Sequence, residues 1–143
     1  KAHSCDRVYQ AVVYGRMKEP EGRVDAPIGR NPLERKEMCV TARNSKEAVT
    51  NYRVLQEYEG FSHLELRLET GRTHQIRVHM AYLGHPVAGD PVYGPKKVIK
   101  SLEGQCLHAK SIAFDHPVTG ERMRFDSELP AYFTDFLRTL RPL

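Results

Sequence analysis

The sequence predicts an α+β fold: a mixed, largely antiparallel sheet with one short helix packed on it and a second helix at the C-terminus. Stretches of β-branched, aromatic or alternating apolar residues predict strands over most of residues 7–69. Apolar residues recur at helical spacing after residue 73 and again after residue 130. A chain of 143 residues has room for one domain with a single core, so we treat residues 1–143 as one domain.

The first predicted strand covers residues 7–15, which are β-branched and aromatic and end at a glycine. The clearest alternation lies in residues 62–69, where Leu64, Leu66 and Leu68 would face the core and the residues between them the solvent. A short turn joins this strand to its predecessor as a hairpin. The other predicted strands cover residues 22–27, 38–41, 48–57, 105–114 and 122–126.

Two short helices are predicted. The first begins at Thr73, whose hydroxyl is suited to cap the first turn, and it buries a stripe that includes Ile76 and Met80. Gly84 ends it, because glycine is the favoured residue just beyond a helix C-terminus. The second opens at Pro130 and docks through an amphipathic face.

Arg77 is the unusual residue of the first predicted helix. It lies beside the apolar stripe, where a guanidinium needs an anionic partner because an unpaired buried charge is costly. The helix itself contains no Asp or Glu. We therefore expect the partner to come from elsewhere in the chain or from another molecule.

Composition sets few limits on function. The formal net charge of +4 permits binding to nucleic acid through phosphate neutralisation. Three cysteines without CxxC spacing indicate reduced thiols in a cytoplasmic protein. No apolar run approaches the roughly 20 residues that span a bilayer, so we expect no membrane association. The chain starts without Met or a signal peptide, and we expect it to be a piece of a longer protein.

Other classes of function are weaker interpretations. Steps of five and six residues between His74, His79 and His85 do not place three ligands on one helical face, so we expect no metal. A glycosidase needs a pair of carboxylates in a supporting context, which the sequence lacks. A pure protein-interaction module remains an alternative. The affinity of an RNA binder falls steeply as salt is added, whereas the behaviour of such a module toward RNA would not depend on salt.

Three ordered segments carry a resemblance. Residues 71–79 (GRTHQIRVH), 84–86 (GHP) and 89–94 (GDPVYG) closely resemble the third conserved motif of the large-subunit-type ribosomal pseudouridine synthases. The likeness runs from about Arg7 to about Pro130. It implies a pseudouridine synthase-like fold and isomerisation of specific uridines to pseudouridine in RNA, without any cofactor. Ribosomal RNA is the expected substrate, and transfer RNA is the alternative.

The resemblance also implies roles for individual residues. In such enzymes an aspartate is the nucleophile, a tyrosine stacks on the flipped base and removes the carbon-bound proton, and an arginine pairs with the aspartate. Tyr9 matches the tyrosine, because it lies in a strand with Tyr-x-Ala and a following glycine. Arg77 matches the arginine that pairs with the aspartate. The lysine-rich loop after Gly94 is either a solvated surface or a phosphate-contacting patch. The expected RNA-binding residues are Arg72, Thr73, His74, Gln75, Lys96 and Lys97.

The nucleophile motif of that family, close to His-Arg-Leu-Asp-x-x-Thr-Ser-Gly, is missing. Residues 22–25 (GRVD) look superficially like it but follow the tyrosine strand instead of preceding it, so we interpret Asp25 as structural. We expect a C-terminal portion of a catalytic domain, inactive alone and completed by a missing N-terminal part. The alternative is a non-catalytic RNA-binding module. An incomplete sheet would have a free edge through which the chain could dimerise.

Overall fold

The computed structural model describes residues 5–97 and 99–143. In chain order its elements are β1 (Asp6–Tyr14), β2 (Glu21–Asp25), β3 (Ile28–Arg30), β4 (Met38–Val40), β5 (Ser45–Lys46), β6 (Val49–Tyr58), β7 (Phe61–Leu68), α1 (Gln75–Tyr82), β8 (Leu107–Asp115), β9 (Arg122–Asp126) and α2 (Ala131–Arg138).

The strands form two sheets. The larger has six strands in the order β2-β6-β7-β1-β8-β9, and the smaller has three in the order β4-β3-β5. The strand pairs within both sheets of the described residues are antiparallel. The predicted α+β class and the predicted pair of helices are therefore confirmed. The smaller sheet was not predicted, because β3 and β5 are too short to show a periodic pattern.

The two helices cover opposite faces of the six-stranded sheet. Ala11 and Leu66 belong to the core cluster that contains Ile76 and Met80 of α1. Val12, the next residue of β1, belongs to the cluster that contains the aromatic residues of α2. Alternation along a strand thus sends neighbouring side chains into different cores.

A β-bulge lies beside Tyr9. Val8 pairs with Ser111 whereas Tyr9 pairs with Ala109, so Lys110 is an extra residue on β8. The pairing of β1 with β7 is continuous through the same region. Bulges of this kind locally increase strand twist and redirect side chains, and they are common next to active sites.

Helix α1 begins later than predicted. Its N-cap is His74, which adopts the left-handed conformation (φ 57°) and makes no side-chain capping hydrogen bond. Thr73 is therefore not the cap, because the chain turns through His74 before the helix starts. The predicted end is confirmed: Gly84 (φ 87°) donates its N–H to the Ala81 carbonyl, and His85 donates to that of Met80. Together these two bonds form a Schellman motif.

Two features bear on membranes and on assembly. Both helices of the described residues have eight residues, too few to cross a bilayer. Strands β2 and β9 are the edges of the six-stranded sheet. Pairing of two chains through one of these edges stays a prediction.

We expect Phe133→Ala to lower the free energy of unfolding by about 3–5 kcal/mol, because Phe133 is fully buried between α2 and the sheet. Its neighbour Tyr132 is 39% exposed, and Tyr132→Ala should change stability by only about 0.5 kcal/mol. Urea denaturation of both variants measures the two effects. Equal losses would show that α2 does not dock through Phe133.

Candidate active site

Gln75 fastens the turn before α1 to strand β6. Its Oε1 accepts hydrogen bonds from the Thr70 hydroxyl (2.7 Å) and the Arg72 N–H (3.0 Å). Its Nε2 donates to the Val49 carbonyl and to the Thr50 hydroxyl, both at 2.9 Å. All four hydrogen-bonding positions of this amide are used inside the chain.

Gln75 is therefore buried, whereas an RNA-binding residue is expected to be exposed. It is only 3% exposed, and its amide has no remaining donor or acceptor for a substrate. The physical reason is its position at the first residue of α1, which turns the side chain toward β6. The structure assigns it to positioning the turn that carries Arg72, Thr73 and His74.

The same network continues to His79. This residue is fully buried, and its Nε2 donates to the Ala26 carbonyl at 2.8 Å. Its Nδ1 then accepts from the Thr50 hydroxyl at 2.8 Å, so the imidazole is neutral. Burial lowers the pKa of His79, against a smaller opposing effect of the hydrogen bond to Ala26. His79 thus anchors α1 to β6 as an uncharged group.

Arg77 and Asp90 form a buried, bidentate ion pair. Arg77 Nε lies 2.8 Å from Oδ2 of Asp90, and Nη2 lies 3.0 Å from Oδ1. The two side chains are 10% and 0% exposed. The anionic partner that Arg77 requires is therefore Asp90, thirteen residues further along the chain. The sequence places Asp90 within the motif segment 89–94 (GDPVYG) but does not reveal this pairing.

Hydrogen bonds keep both members of the pair charged. Burial raises the pKa of Asp90, but the hydrogen bonds from Arg77 and from the N–H groups of Tyr93 and Val92 outweigh it and lower the pKa overall. The hydrogen bond to Asp90 raises the pKa of Arg77 against the opposing effect of burial. Nη1 of Arg77 makes no hydrogen bond to any other residue in the described parts of the chain.

Tyr93 connects the ion pair to the turn. The guanidinium carbon of Arg77 lies 5.0 Å from the centre of the Tyr93 ring. The Tyr93 hydroxyl lies 2.8 Å from Nδ1 of His74 and accepts the Met38 N–H at 3.0 Å. Burial, and then the nearby charge of Arg77, lower the pKa of His74. His74 is thereby held as a neutral ring beside a cation.

The other expected RNA-binding residues are more accessible. Thr73 is exposed, and Arg72 is half-buried with its Nε donating to the Glu47 carbonyl at 2.6 Å. Lys96 and Lys97 are exposed in the loop after Tyr93. Within the part of the chain that the structure describes, Lys96 hydrogen-bonds only to the Pro91 carbonyl, at 3.3 Å. These four side chains keep donors that an anionic ligand can reach.

Tyr9 lies on the sheet face that α1 covers. It is half-buried and packs against the core cluster that contains Ile76. It also lines a cleft of about 290 Å³ together with Arg7, Ile112 and Phe125. Its hydroxyl makes no hydrogen bond within the described part of the chain. Tyr9 and Ile76, the residue before Arg77 in α1, thus pack in one core.

Comparison with known proteins decides the family. Residues 1–82 match the family model described as RNA pseudouridylate synthase. The chain belongs to the RNA pseudouridylate synthase family. The resemblance found in the motifs is thereby confirmed.

Individual relatives agree with this assignment. The chain is 50% identical over 135 residues to the uncharacterised RNA pseudouridine synthase YlyB of Bacillus subtilis, covering 94% of this chain and 44% of that protein. It is 42% identical over 153 residues to ribosomal large subunit pseudouridine synthase D of Pseudomonas aeruginosa, covering 99% and 47%. The chain thus spans less than half the length of these relatives.

Solved structures confirm the fold. Human RNA pseudouridylate synthase domain containing 1 superimposes with a TM-score of 0.81 at 31% identity, covering 97% of this chain and 60% of that one. Human RNA pseudouridylate synthase domain containing 4 gives a TM-score of 0.76 at 26% identity, covering 97% and 63%. The six-stranded sheet with helices on both faces is therefore part of the synthase fold.

Asp90→Asn should lower the free energy of unfolding by about 3–5 kcal/mol, because it leaves Arg77 buried without an anion. Asparagine keeps a side-chain oxygen for the N–H groups of Val92 and Tyr93, so the variant removes mainly the charge. Denaturant unfolding measures the loss. Adding Arg77→Met to Asp90→Asn removes the unpaired cation and should recover part of the stability; a further loss would contradict this explanation.

The effect of Asp90 should also depend on pH. Its pKa is lower in the folded chain than in the unfolded chain, where an Asp titrates at about 3.9. Its contribution to stability is therefore complete above that value and is lost as the pH falls through the folded-state pKa. Unfolding measured from pH 7 down to pH 2 should show the difference between wild type and Asp90→Asn shrinking in acid. A constant difference would contradict the lowered pKa.

Proposed function

We propose that the protein containing this chain isomerises specific uridines of RNA to pseudouridine, with ribosomal RNA as substrate, in the cytoplasm. The observation that carries the proposal is the buried guanidinium of Arg77. Arg77 belongs to α1, which packs over the strand of Tyr9, and its guanidinium is held in place by Asp90. The name of the Pseudomonas aeruginosa relative, a ribosomal large subunit synthase, favours ribosomal RNA over transfer RNA.

The reaction requires an accessible base and a proton acceptor. A uridine in a stacked helix hides its reacting atoms, so it must flip into a pocket. The N-glycosidic bond breaks, the base turns, and a ring carbon joins the ribose; that carbon loses a proton and the ring nitrogen gains one. Tyr9, whose hydroxyl makes no hydrogen bond among the described residues, lines a cleft with an apolar wall formed by Ile112 and Phe125. We assign it to stacking on the base and removing the carbon-bound proton.

Arg77 would pair with the nucleophilic aspartate in addition to Asp90. Asp90 occupies Nε and one proton of Nη2, and a guanidinium has five N–H donors. Nη1 therefore remains for a second carboxylate, whose ionised form a nearby cation favours. Asp90 already neutralises the charge of Arg77. The main contribution of Asp90 would therefore be to fix the orientation of the guanidinium.

The RNA strand would be bound by side chains around the turn. Arg72, Thr73 and His74 lie in the turn itself, and Lys96 and Lys97 follow Tyr93, whose hydroxyl contacts His74. Phosphate contacts of this kind supply affinity that falls steeply with salt. Gln75 would act by holding the turn in place.

The nucleophilic aspartate would come from a part of the protein outside this chain. The chain does not contain the His-Arg-Leu-Asp-x-x-Thr-Ser-Gly motif. The isolated chain would therefore bind RNA without turnover. A second candidate function, a non-catalytic RNA-binding module, requires that the protein lacks this motif altogether.

Tyr9→Phe in the full-length protein should lower kcat by about 10²–10⁴-fold, the usual contribution of general acid–base catalysis, and leave RNA affinity nearly unchanged. Phenylalanine keeps the ring for stacking and removes only the hydroxyl. Release of tritium from the modified ring carbon of uridine measures the reaction. Tyr82→Phe, a change at an exposed tyrosine of α1, is the matched control and should keep full activity.

Two outcomes would contradict the proposal. Tritium release by the isolated 143-residue chain would show that one of its own aspartates is the nucleophile. RNA binding without release by the full-length protein would favour the non-catalytic module. A dimer through β2 or β9 is a separate expectation, and a monomeric profile in size-exclusion chromatography would count against it.

A further inference from the structure

Arg7 is a cation beside the candidate active site that has no partner among the described residues. Its Nε is buried and makes no hydrogen bond, and it is the one side-chain atom in the described residues with both properties. Neither an ion pair nor a hydrogen bond joins its side chain to any other described residue. A buried, unsatisfied donor is costly unless a partner arrives from outside. Arg7 differs in this respect from Arg72 and Arg77, which both donate hydrogen bonds to acceptors within the chain.

Gly71 provides the space for this guanidinium. A Cβ atom built at Gly71 would lie 2.3 Å from Nη1 of Arg7 and 3.1 Å from Cζ and Nη2. No side chain at position 71 could coexist with Arg7 in its present place. The first glycine of the motif turn therefore allows the Arg7 side chain to lie directly against the turn that carries Arg72 and Thr73.

Arg7 and Tyr9 share one face of β1. They are two residues apart, which separates their positions along the strand by about 7 Å. Both line the same cleft of about 290 Å³, with Ile112 and Phe125. Lys110, the other cation of this cleft, already pairs with Asp126 at 2.7 Å. The cleft thus presents an aromatic ring next to one uncompensated positive charge.

We propose that Arg7 binds a backbone phosphate of the RNA, at or next to the nucleotide whose base is received by Tyr9. This inference rests on the proposed function. The spacing of two strand residues would let the base stack on the Tyr9 ring while a phosphate binds the Arg7 guanidinium. A guanidinium matches the oxygens of a phosphate with two parallel hydrogen bonds. The nucleophilic carboxylate is the other oxyanion that could reach Arg7, and the experiment separates the two.

The test measures binding of the full-length protein to an RNA oligonucleotide that contains its modified uridine. Arg7→Gln should weaken binding and reduce the slope of log K against log salt by about 0.7–0.9, the value for one phosphate contact. Arg7→Lys should keep the slope. Arg141→Gln removes an exposed arginine charge near the other end of β7, where the Arg141 carbonyl accepts the Glu59 N–H, and should change neither quantity.

Gly71→Ala gives a second, independent variant. The added methyl group must displace the flexible end of Arg7 but leaves its charge in the protein. It should weaken RNA binding when Arg7 is present and have no further effect in the Arg7→Gln background. Thermal unfolding adds a readout. Since Nε has no partner among the described residues, Arg7→Gln should not lower the melting temperature in the absence of RNA, whereas replacement of a purely structural arginine would lower it.

Several results would overturn the inference. An unchanged affinity and salt slope in Arg7→Gln would exclude a phosphate contact. If affinity stays constant while the acidic limb of the pH–rate profile shifts, the partner is the nucleophilic carboxylate. A fall in melting temperature with unchanged RNA binding would assign Arg7 a structural role. Tritium release by the wild-type protein is measured separately, so failure of the proposed function is distinguishable from failure at Arg7.

Discussion

The ion pair between Arg77 and Asp90 is the interaction on which the rest of the candidate site depends. Helix α1 has eight residues and no side-chain cap, so its own hydrogen bonds are too few to keep it formed alone. The pair ties this helix to the segment that follows it. Oδ1 of Asp90 also accepts the N–H groups of Val92 and Tyr93, which fixes the path of that segment. Tyr93 is thereby held beside the guanidinium and in contact with His74.

A second set of interactions holds the other side of the turn. Gln75, Thr50 and His79 form a continuous chain of hydrogen bonds between α1 and β6. Every polar atom of the Gln75 amide has a partner within the chain. One nine-residue motif therefore contains two kinds of polar residue: those whose side chains are consumed in holding the turn, and those, such as Thr73, that remain exposed. Exposed residues such as Thr73 keep hydrogen-bonding capacity for a substrate, and so does the buried Arg77, whose Nη1 makes no hydrogen bond to any other described residue.

This division explains what the sequence could and could not predict. Long strands with alternation, such as β7, and the glycine stop of α1 follow from local patterns, and both are confirmed. The start of α1 does not, because the left-handed His74 and the side chain of Gln75 replace the hydroxyl cap expected of Thr73. Likewise, the need of Arg77 for an anion is a local argument from burial, which the structure confirms.

The identity of that anion required three-dimensional information. Asp90 and Arg77 are thirteen residues apart across a loop, and no periodicity links the two positions. The place of Arg7 also could not be read from its strand, where it is an ordinary basic residue near an end. Only the close approach of its guanidinium to Gly71 reveals that it lies against the motif turn. Contacts between segments distant in sequence thus account for the site features that local patterns missed.

Arg77 and Arg7 differ in charge balance, and this difference has a physical consequence. Arg77 is neutralised by a permanent carboxylate, so it can orient a further group but attracts it only weakly. Arg7 forms no ion pair with any carboxylate of the described residues, since Asp126 of the same cleft pairs with Lys110, so its field is available to a ligand. A substrate phosphate has to bind and then leave, and a permanent anion next to Arg7 would compete with it at every turnover. A built-in counterion therefore suits a fixed positioning group such as Arg77, whereas a reversible phosphate contact is stronger where the cation has no permanent ion pair.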